Sequence, residues 1–150
     1  MRNLFRITCV AVIFFCFFAQ SSLADDSIGF IRKLNNSVTV LRGNAALQVK
    51  PGDSVYMSDI INTDDTGSVG ITFKDNTMIS IGPNTKYIID EYAYQPKNNQ
   101  LSFVSTVSRG TLNFVSGNLT KLAPNAVKVN TPVGTMGMRG TRFLLKVEED

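Results

Sequence analysis

The segment Phe73-Lys74-Asp75-Asn76-Thr77-Met78-Ile79-Ser80-Ile81-Gly82-Pro83-Asn84-Thr85 decides the fold class. Bulky and small residues alternate over residues 69–73, and Thr77, Ile79 and Ile81 occupy every second position of the return strand. Such alternation is typical of strands that bury one face. Asp and Asn both tolerate the positive φ that a two-residue type I′ turn needs, so the pair predicts a hairpin there. Gly82-Pro83-Asn84 then ends the return strand.

The rest of the chain from residue 25 repeats this pattern of short apolar runs between turn residues. Its Val, Ile and Thr number 33 against 17 Ala, Leu and Glu, which favours strands over helices. We expect the first two strands to pair with each other across Asn35-Asn36. We predict a loop over residues 117–125 and strands at residues 27–33, 37–41, 46–50, 55–57, 59–62, 69–73, 77–81, 85–90, 101–107, 110–114, 126–131 and 143–147. This spacing predicts a sandwich, a barrel or a coiled sheet.

The first 24 residues are typical of a secretory signal peptide. Arg2 and Arg6 precede the apolar residues 7–18, and small residues come before a cleavage point between Ala24 and Asp25. Twelve apolar residues in a helix reach about 18 Å, which is short of the roughly 30 Å of a bilayer's hydrocarbon core. We therefore expect cleavage rather than an anchor, and no stable membrane span afterwards. The predicted domains are a signal peptide at 1–24 and a β domain at 25–150.

Composition narrows the function classes of the cleaved product. Loss of Arg2 and Arg6 lowers the formal net charge from +3 to +1, so nucleic acid is an unfavoured partner. Both cysteines, Cys9 and Cys16, lie in the leader, and the chain has no histidine. Nucleophiles activated by histidine and the usual zinc ligands are thus missing. We predict no catalytic residue, no metal site and no cofactor.

A series of short motifs follows in order along the chain, and together they resemble the FecR domain family. One departure is Asn76, where the family usually has Gly. The residues that carry the resemblance are Gly52, Asp53, Phe73, Asp75, Gly82, Pro83, Asn84, Thr85, Arg109, Gly110, Thr131, Pro132, Arg139, Gly140, Thr141 and Phe143.

The resemblance implies a twisted β-solenoid-like stack of short strands, with a β-sandwich or roll as the alternative. In the best-known members this domain is the periplasmic half of a regulator that senses an outer-membrane receptor and controls a sigma factor. No cytoplasmic helical domain precedes the leader, so we do not expect this chain to regulate a sigma factor itself.

Two pairs of residues are candidates for contacting a partner. Tyr92 and Tyr94 share one parity and would present an aromatic face, and Arg139 and Arg142 would bind carboxylates. The competing interpretations are burial for the tyrosines, and loop capping or local ion pairing for the arginines. Gly134, Gly137 and Gly140 predict a tight bend rather than a phosphate loop, because a strand follows them.

We therefore predict a periplasmic or secreted, non-catalytic binding or scaffold module of the bacterial cell envelope. Its expected partner is an unidentified envelope protein or surface component. Two alternatives remain open at this point. One is an accessory periplasmic sensor in iron-uptake-type signalling, and the other is a self-assembling surface or matrix subunit whose sheet edges pair.

Overall fold

The computed structural model describes residues 26–148 and consists almost entirely of strands. The predicted signal peptide and its cleavage point therefore lie outside the described residues. One short helix, α1 (Asn118–Leu122), and two 3-10 turns, at Pro96–Asn98 and Pro124–Ala126, complete the structure. The strands are β1 (Gly29–Asn35), β2 (Val38–Arg42), β3 (Ala45–Gln48), β4 (Ser54–Val55), β5 (Ile60–Thr63), β6 (Ser68–Phe73), β7 (Met78–Ile81), β8 (Lys86–Gln95), β9 (Gln100–Val115), β10 (Val127–Thr131), β11 (Gly134–Gly137) and β12 (Arg142–Val147).

The strands form one curled sheet in two halves that share β9. The first half-sheet has the order β3-β2-β5-β8-β9, with β10 parallel to β9 and β11 antiparallel to β10. The second half-sheet has the order β9-β7-β6-β1-β4, with β12 antiparallel to β9. The chain passes repeatedly from one half to the other, so it winds as a coil. The predicted all-β, twisted-sheet class is confirmed, and the sandwich alternative is not needed.

Gly110 is the corner at which β9 passes from the first half-sheet to the second. Its φ is +96°, and a Cβ there would lie 2.5 Å from Thr85 Cα. Thr111 N donates to Thr85 Oγ1 at 3.0 Å, and Gly82 N donates to Thr111 O at 3.0 Å. The motif residues around Gly82 and Thr85 therefore pack directly on the bend in β9.

The core fills the inside of the curl. A row of aromatic rings crosses it, with centroids 4.7–5.8 Å apart, and ends at the open side of the sheet. Edge and offset contacts at these distances stabilise aromatic pairs beyond the area that they bury. The row runs through Tyr92, Phe73, Phe103, Phe114 and Phe143.

The first predicted pairing is wrong. β1 pairs with β4 and β6, whereas β2 pairs with β3 and β5, so the two strands belong to different half-sheets. The chain crosses between the halves at Asn36, which has φ +55° and whose Nδ2 donates to Thr66 O at 2.9 Å. Thr66 lies in another crossing, the one between β5 and β6. Asn36 therefore joins two crossings instead of closing a hairpin.

Two further local predictions need correction. The β6–β7 turn is a three-residue loop, because Phe73 N donates to Thr77 O and only Asn76, at φ +66°, has positive φ. A type I turn followed by one left-handed residue gives such a loop. Residues 118–122, predicted as loop, form α1, in which Leu119 is buried and Leu122 is 57% exposed.

Candidate partner-binding surface

The predicted tyrosine pair lies at the end of β8, beside a groove of about 270 Å³. A register shift in the β8–β9 ladder between Ile89 and Glu91 changes which residues point inward. Tyr92 is therefore buried, and Tyr94 is half-buried against the core. The groove also contains Asp26, Ile28, Met57, Lys74, Ala93 and Gln95.

The hydroxyl of Tyr92 is engaged inside the protein. It donates to Asp75 Oδ1 at 3.1 Å and accepts from Asp75 N at 3.0 Å. Burial raises the pKa of the Tyr92 phenol, and the neighbouring Asp75 charge raises it further. Both tyrosines line the groove, Tyr94 is the more exposed of the two, and the partner-binding role of both stays a prediction.

Asp75 is the centre of a buried hydrogen-bond network. Its carboxylate accepts from Thr77 Oγ1 at 2.6 Å, from Thr77 N at 3.2 Å and from Leu119 N at 3.1 Å, in addition to Tyr92. Asn118 N also donates to the main-chain oxygen of Asp75 at 2.7 Å. The motif residue therefore ties α1 and β8 to the β6–β7 loop, which is a structural task.

The sequence does not mark the second buried carboxylate, Asp59. Arg42 binds it with two hydrogen bonds of 2.8 Å, and Tyr56 N donates to it at 2.9 Å. The Arg42 guanidinium also lies 4.1 Å from the centre of the Tyr56 ring. This bidentate pair joins β2 to the β4–β5 connection. No sequence signal marks it, because the partners are 17 residues apart.

The arginine pair lies at a different place, the open side of the curl. Arg139 is exposed in the connection before β12, and Arg142 is exposed at its start, with Nε donating to Asn113 Oδ1 at 3.2 Å. The structure therefore does not bring the arginines together with the tyrosines in one groove. The role of the arginines as partner contacts also stays a prediction.

Apolar side chains are exposed around the arginines. Val133, Met136 and Leu144 are 95%, 38% and 76% exposed, and the first two lie at the β10–β11 hairpin. A groove of about 570 Å³ separates that hairpin from β12. We call β12 together with Val133 and Met136 the β12 surface. Val133 and Met136 line that groove together with Leu145 and Val147, whereas Leu144 lies on the alternate face of β12 and does not line it.

The outer edge of β12 carries unpaired backbone groups. Ser116 N donates to Thr141 O at 2.9 Å, which fixes the hydrogen-bonding phase of the β9–β12 ladder. In that phase the N–H and C=O groups of Arg142, Leu144 and Lys146 point away from β9. Within residues 26–148, β12 has no strand neighbour besides β9. The β12 surface is therefore an open sheet edge.

Charge varies along this edge. Arg142 stands at its start, and Lys146 Nζ donates to Glu148 Oε1 at 2.7 Å near its end. The hydrogen bond and the attraction between these two charges raise the pKa of Lys146 and lower that of Glu148. Both side chains are exposed, so the edge presents charged groups to the surroundings.

The remaining motif residues support turns and strand ends. Gly52 has φ +94°, and Asp53 Oδ2 accepts from Lys50 N at 2.9 Å. Thr131 Oγ1 donates to Gly134 O at 2.9 Å beside Pro132 in the β10–β11 turn. The predicted bend at the three glycines is wrong for two of them, because Gly134 and Gly137 belong to β11. The other motif residues take their places as follows: Asn84 at φ +51° next to Pro83, Arg109 just before the corner, Gly140 exposed before β12, and Phe143 stacked on Phe114.

The described residues provide neither a metal-binding cluster nor a membrane-spanning helix. Among the described residues, no cluster of acidic, cysteine or histidine side chains could hold a metal ion. Over residues 26–148, no helix has the length and apolar character needed to cross a bilayer.

Comparison with known proteins identifies one family. The family model described as FecR protein matches residues 59–150, from the buried Asp59 through β12 to the end of the sequence. No curated protein and no solved structure gives a significant match.

Proposed function

The chain belongs to the FecR protein family, and from that premise we propose that it is an exported, non-catalytic protein-binding module of the bacterial cell envelope. FecR proteins are regulatory and signalling proteins that are associated with the periplasmic side of the envelope and act through protein contacts.

The open edge of β12 carries the proposal. It combines unpaired backbone groups with the exposed side chain of Leu144, and the exposed Val133 lies across the neighbouring groove. An extended segment of a partner can add to such an edge, where main-chain hydrogen bonds give affinity and alternate side chains give specificity. The buried carboxylates Asp59 and Asp75 already have protein donors, which supports a structural rather than a catalytic task for them.

Site-specific photo-cross-linking in intact cells tests the proposal. A photoreactive amino acid replaces Leu144 on β12, Met57 at the tyrosine groove, or Leu122 on α1 as the exposed control. We expect discrete adducts with another envelope protein from position 144 and none from position 122. Adducts from position 57 alone would move the site to the tyrosine groove. No adduct from either position would refute the binding function.

N-terminal sequencing of the same purified protein tests export. A product beginning at Asp25 is expected, which would define the domain as residues 25–150. A product that retains residues 1–24 would contradict the export part of the proposal without affecting the site.

A further inference from the structure

We propose that the β12 edge also pairs with the β12 edge of a second copy of this chain, antiparallel and centred on Leu145. The inference goes beyond binding to a different envelope protein, because the partner here is the same chain. It rests on the phase of the hydrogen bonds, the order of charges along the strand and the half-buried apolar row beside it.

Hydrogen-bond phase limits the possible registers. Only Arg142, Leu144 and Lys146, with Glu148 beyond the strand, direct their backbone groups toward the free edge. Two identical antiparallel strands must place these residues opposite one another. With Leu145 at the two-fold axis, Leu144 lies opposite Lys146 of the other copy.

Charge selects this register from its neighbours. Centring on Leu145 places Arg142 opposite Glu148 of the other copy, and symmetry makes that contact twice. Centring on Leu144 would instead place Arg142 opposite Lys146, and centring on Lys146 would place that lysine opposite itself. Opposite charges across a strand pair are stabilising, whereas like charges are destabilising.

The inner face of the strand is complementary to itself in the same register. Phe143, Leu145 and Val147 are half-buried and pack against the core at the open side of the curl. In the proposed pair, Phe143 lies opposite Val147 of the other copy, and the two Leu145 side chains meet. Apolar cross-strand pairs of this kind stabilise antiparallel sheets.

A cysteine cross-link tests the register. Cys9→Ser and Cys16→Ser in the full-length chain leave no other thiol, and Leu145→Cys then places two thiols in a non-hydrogen-bonded pair, with Cα atoms about 4.5 Å apart. We expect a disulfide-linked dimer from Leu145→Cys on mild oxidation. The matched control Leu144→Cys places the thiols diagonally, and its cross-linking is expected to be much slower. Faster cross-linking of Leu144→Cys would overturn the register, and no cross-link from either would overturn the pairing.

A charge-swap series tests the same pairing without altering the core. Sedimentation of the unmodified protein over the micromolar range should show a monomer–dimer equilibrium. Arg142→Glu or Glu148→Arg alone should weaken dimerisation by about tenfold, because each creates two like-charge contacts. The double variant should restore it. A monomer at every concentration would overturn the proposal. So would single and double variants that dimerise with the same affinity. A monomer that still forms adducts with another protein from position 144 refutes self-pairing alone, whereas a dimer without such adducts refutes only the binding function proposed above.

Discussion

Replacing Gly110 by Ala should destabilise the fold more than any other glycine-to-alanine change at a positive-φ turn. The added Cβ would lie 2.5 Å from Thr85 Cα and 2.6 Å from Thr85 Cβ, and the residue already has φ +96°. Thr85 cannot move aside by rotating its side chain, because its Cα is among the contacts. The two ladders that meet at β9 would have to shift instead.

Two effects contribute to the loss of stability in Gly110→Ala. An L side chain in a left-handed conformation costs about 1–2 kcal/mol. Overpacking against fixed neighbours adds about 1–3 kcal/mol. The free energy of unfolding should therefore fall by about 2–5 kcal/mol in Gly110→Ala.

Gly43→Ala is the matched control. Gly43, in the β2–β3 turn, has φ +57° and nothing within 4 Å of an added Cβ. It should show only the conformational cost of about 1–2 kcal/mol. Urea unfolding followed by circular dichroism, with unchanged m-values, measures both variants. Equal losses for the two would refute the contact of the β9 corner with Thr85.

Three further results are expected from the described interior. Asp75→Asn should lower the free energy of unfolding in urea by about 2–4 kcal/mol, because it leaves buried donors without an acceptor. The matched control Asp65→Asn, at an exposed position, should be neutral. Equal losses of stability in the two variants would contradict the hydrogen-bond network. Asn76→Gly should melt at or slightly above the parent temperature and Asn76→Val should cost about 1–2 kcal/mol, since φ there is +66°; identical melting curves would contradict it. Burial raises the pKa of Tyr87 and Tyr92 above the ordinary value of 10, so their neutral forms favour the folded state. Stability should be intact below pH 10 and fall as the pH rises above it, and Tyr87→Phe should make that fall shallower in pH-dependent urea titrations.

The sequence predicts strands well wherever one face is buried. Apolar residues recur at every second position in 69–73, and Ile79 and Ile81 do so in the return strand, so β6 and β7 both bury these residues in one core. Turn positions with unusual backbone are also predictable, since Asn76 and Gly52 both have positive φ. These features depend on neighbours in the chain, so local patterns suffice to find them.

Pairing between distant strands could not be predicted in this way. The sequence places β1 and β2 next to each other, yet each completes a different half-sheet. An alternating strand has two edges and does not indicate which neighbour each will take. The inward direction of the Tyr92 side chain depends likewise on a register shift against β9. Its pairing partner there, Phe103, lies 11 residues further along the chain.

The proposed binding surface depends on topology in the same sense. Leu144 alternates with Phe143 and Leu145 in an apolar run that could belong to a fully buried strand. Only the sheet order reveals that β12 is an edge and that Leu144 faces outward.

Some motif residues hold the scaffold together, whereas others belong to the part of the chain that forms the open edge. Gly82, Thr85 and Gly110 meet at one corner, although up to 28 residues separate them in the chain. That corner orients the second part of β9, on which β12 is built, so these three motif residues fix the position of the open edge without lying on it. A protein of this design can keep its scaffold while the exposed residues of β12 change, and under the proposed function the choice of partner would depend on the outward residues Arg142 and Leu144. Substitutions at the corner should therefore reduce stability and binding together, whereas substitutions of the exposed residues Arg142 and Leu144 should alter binding alone.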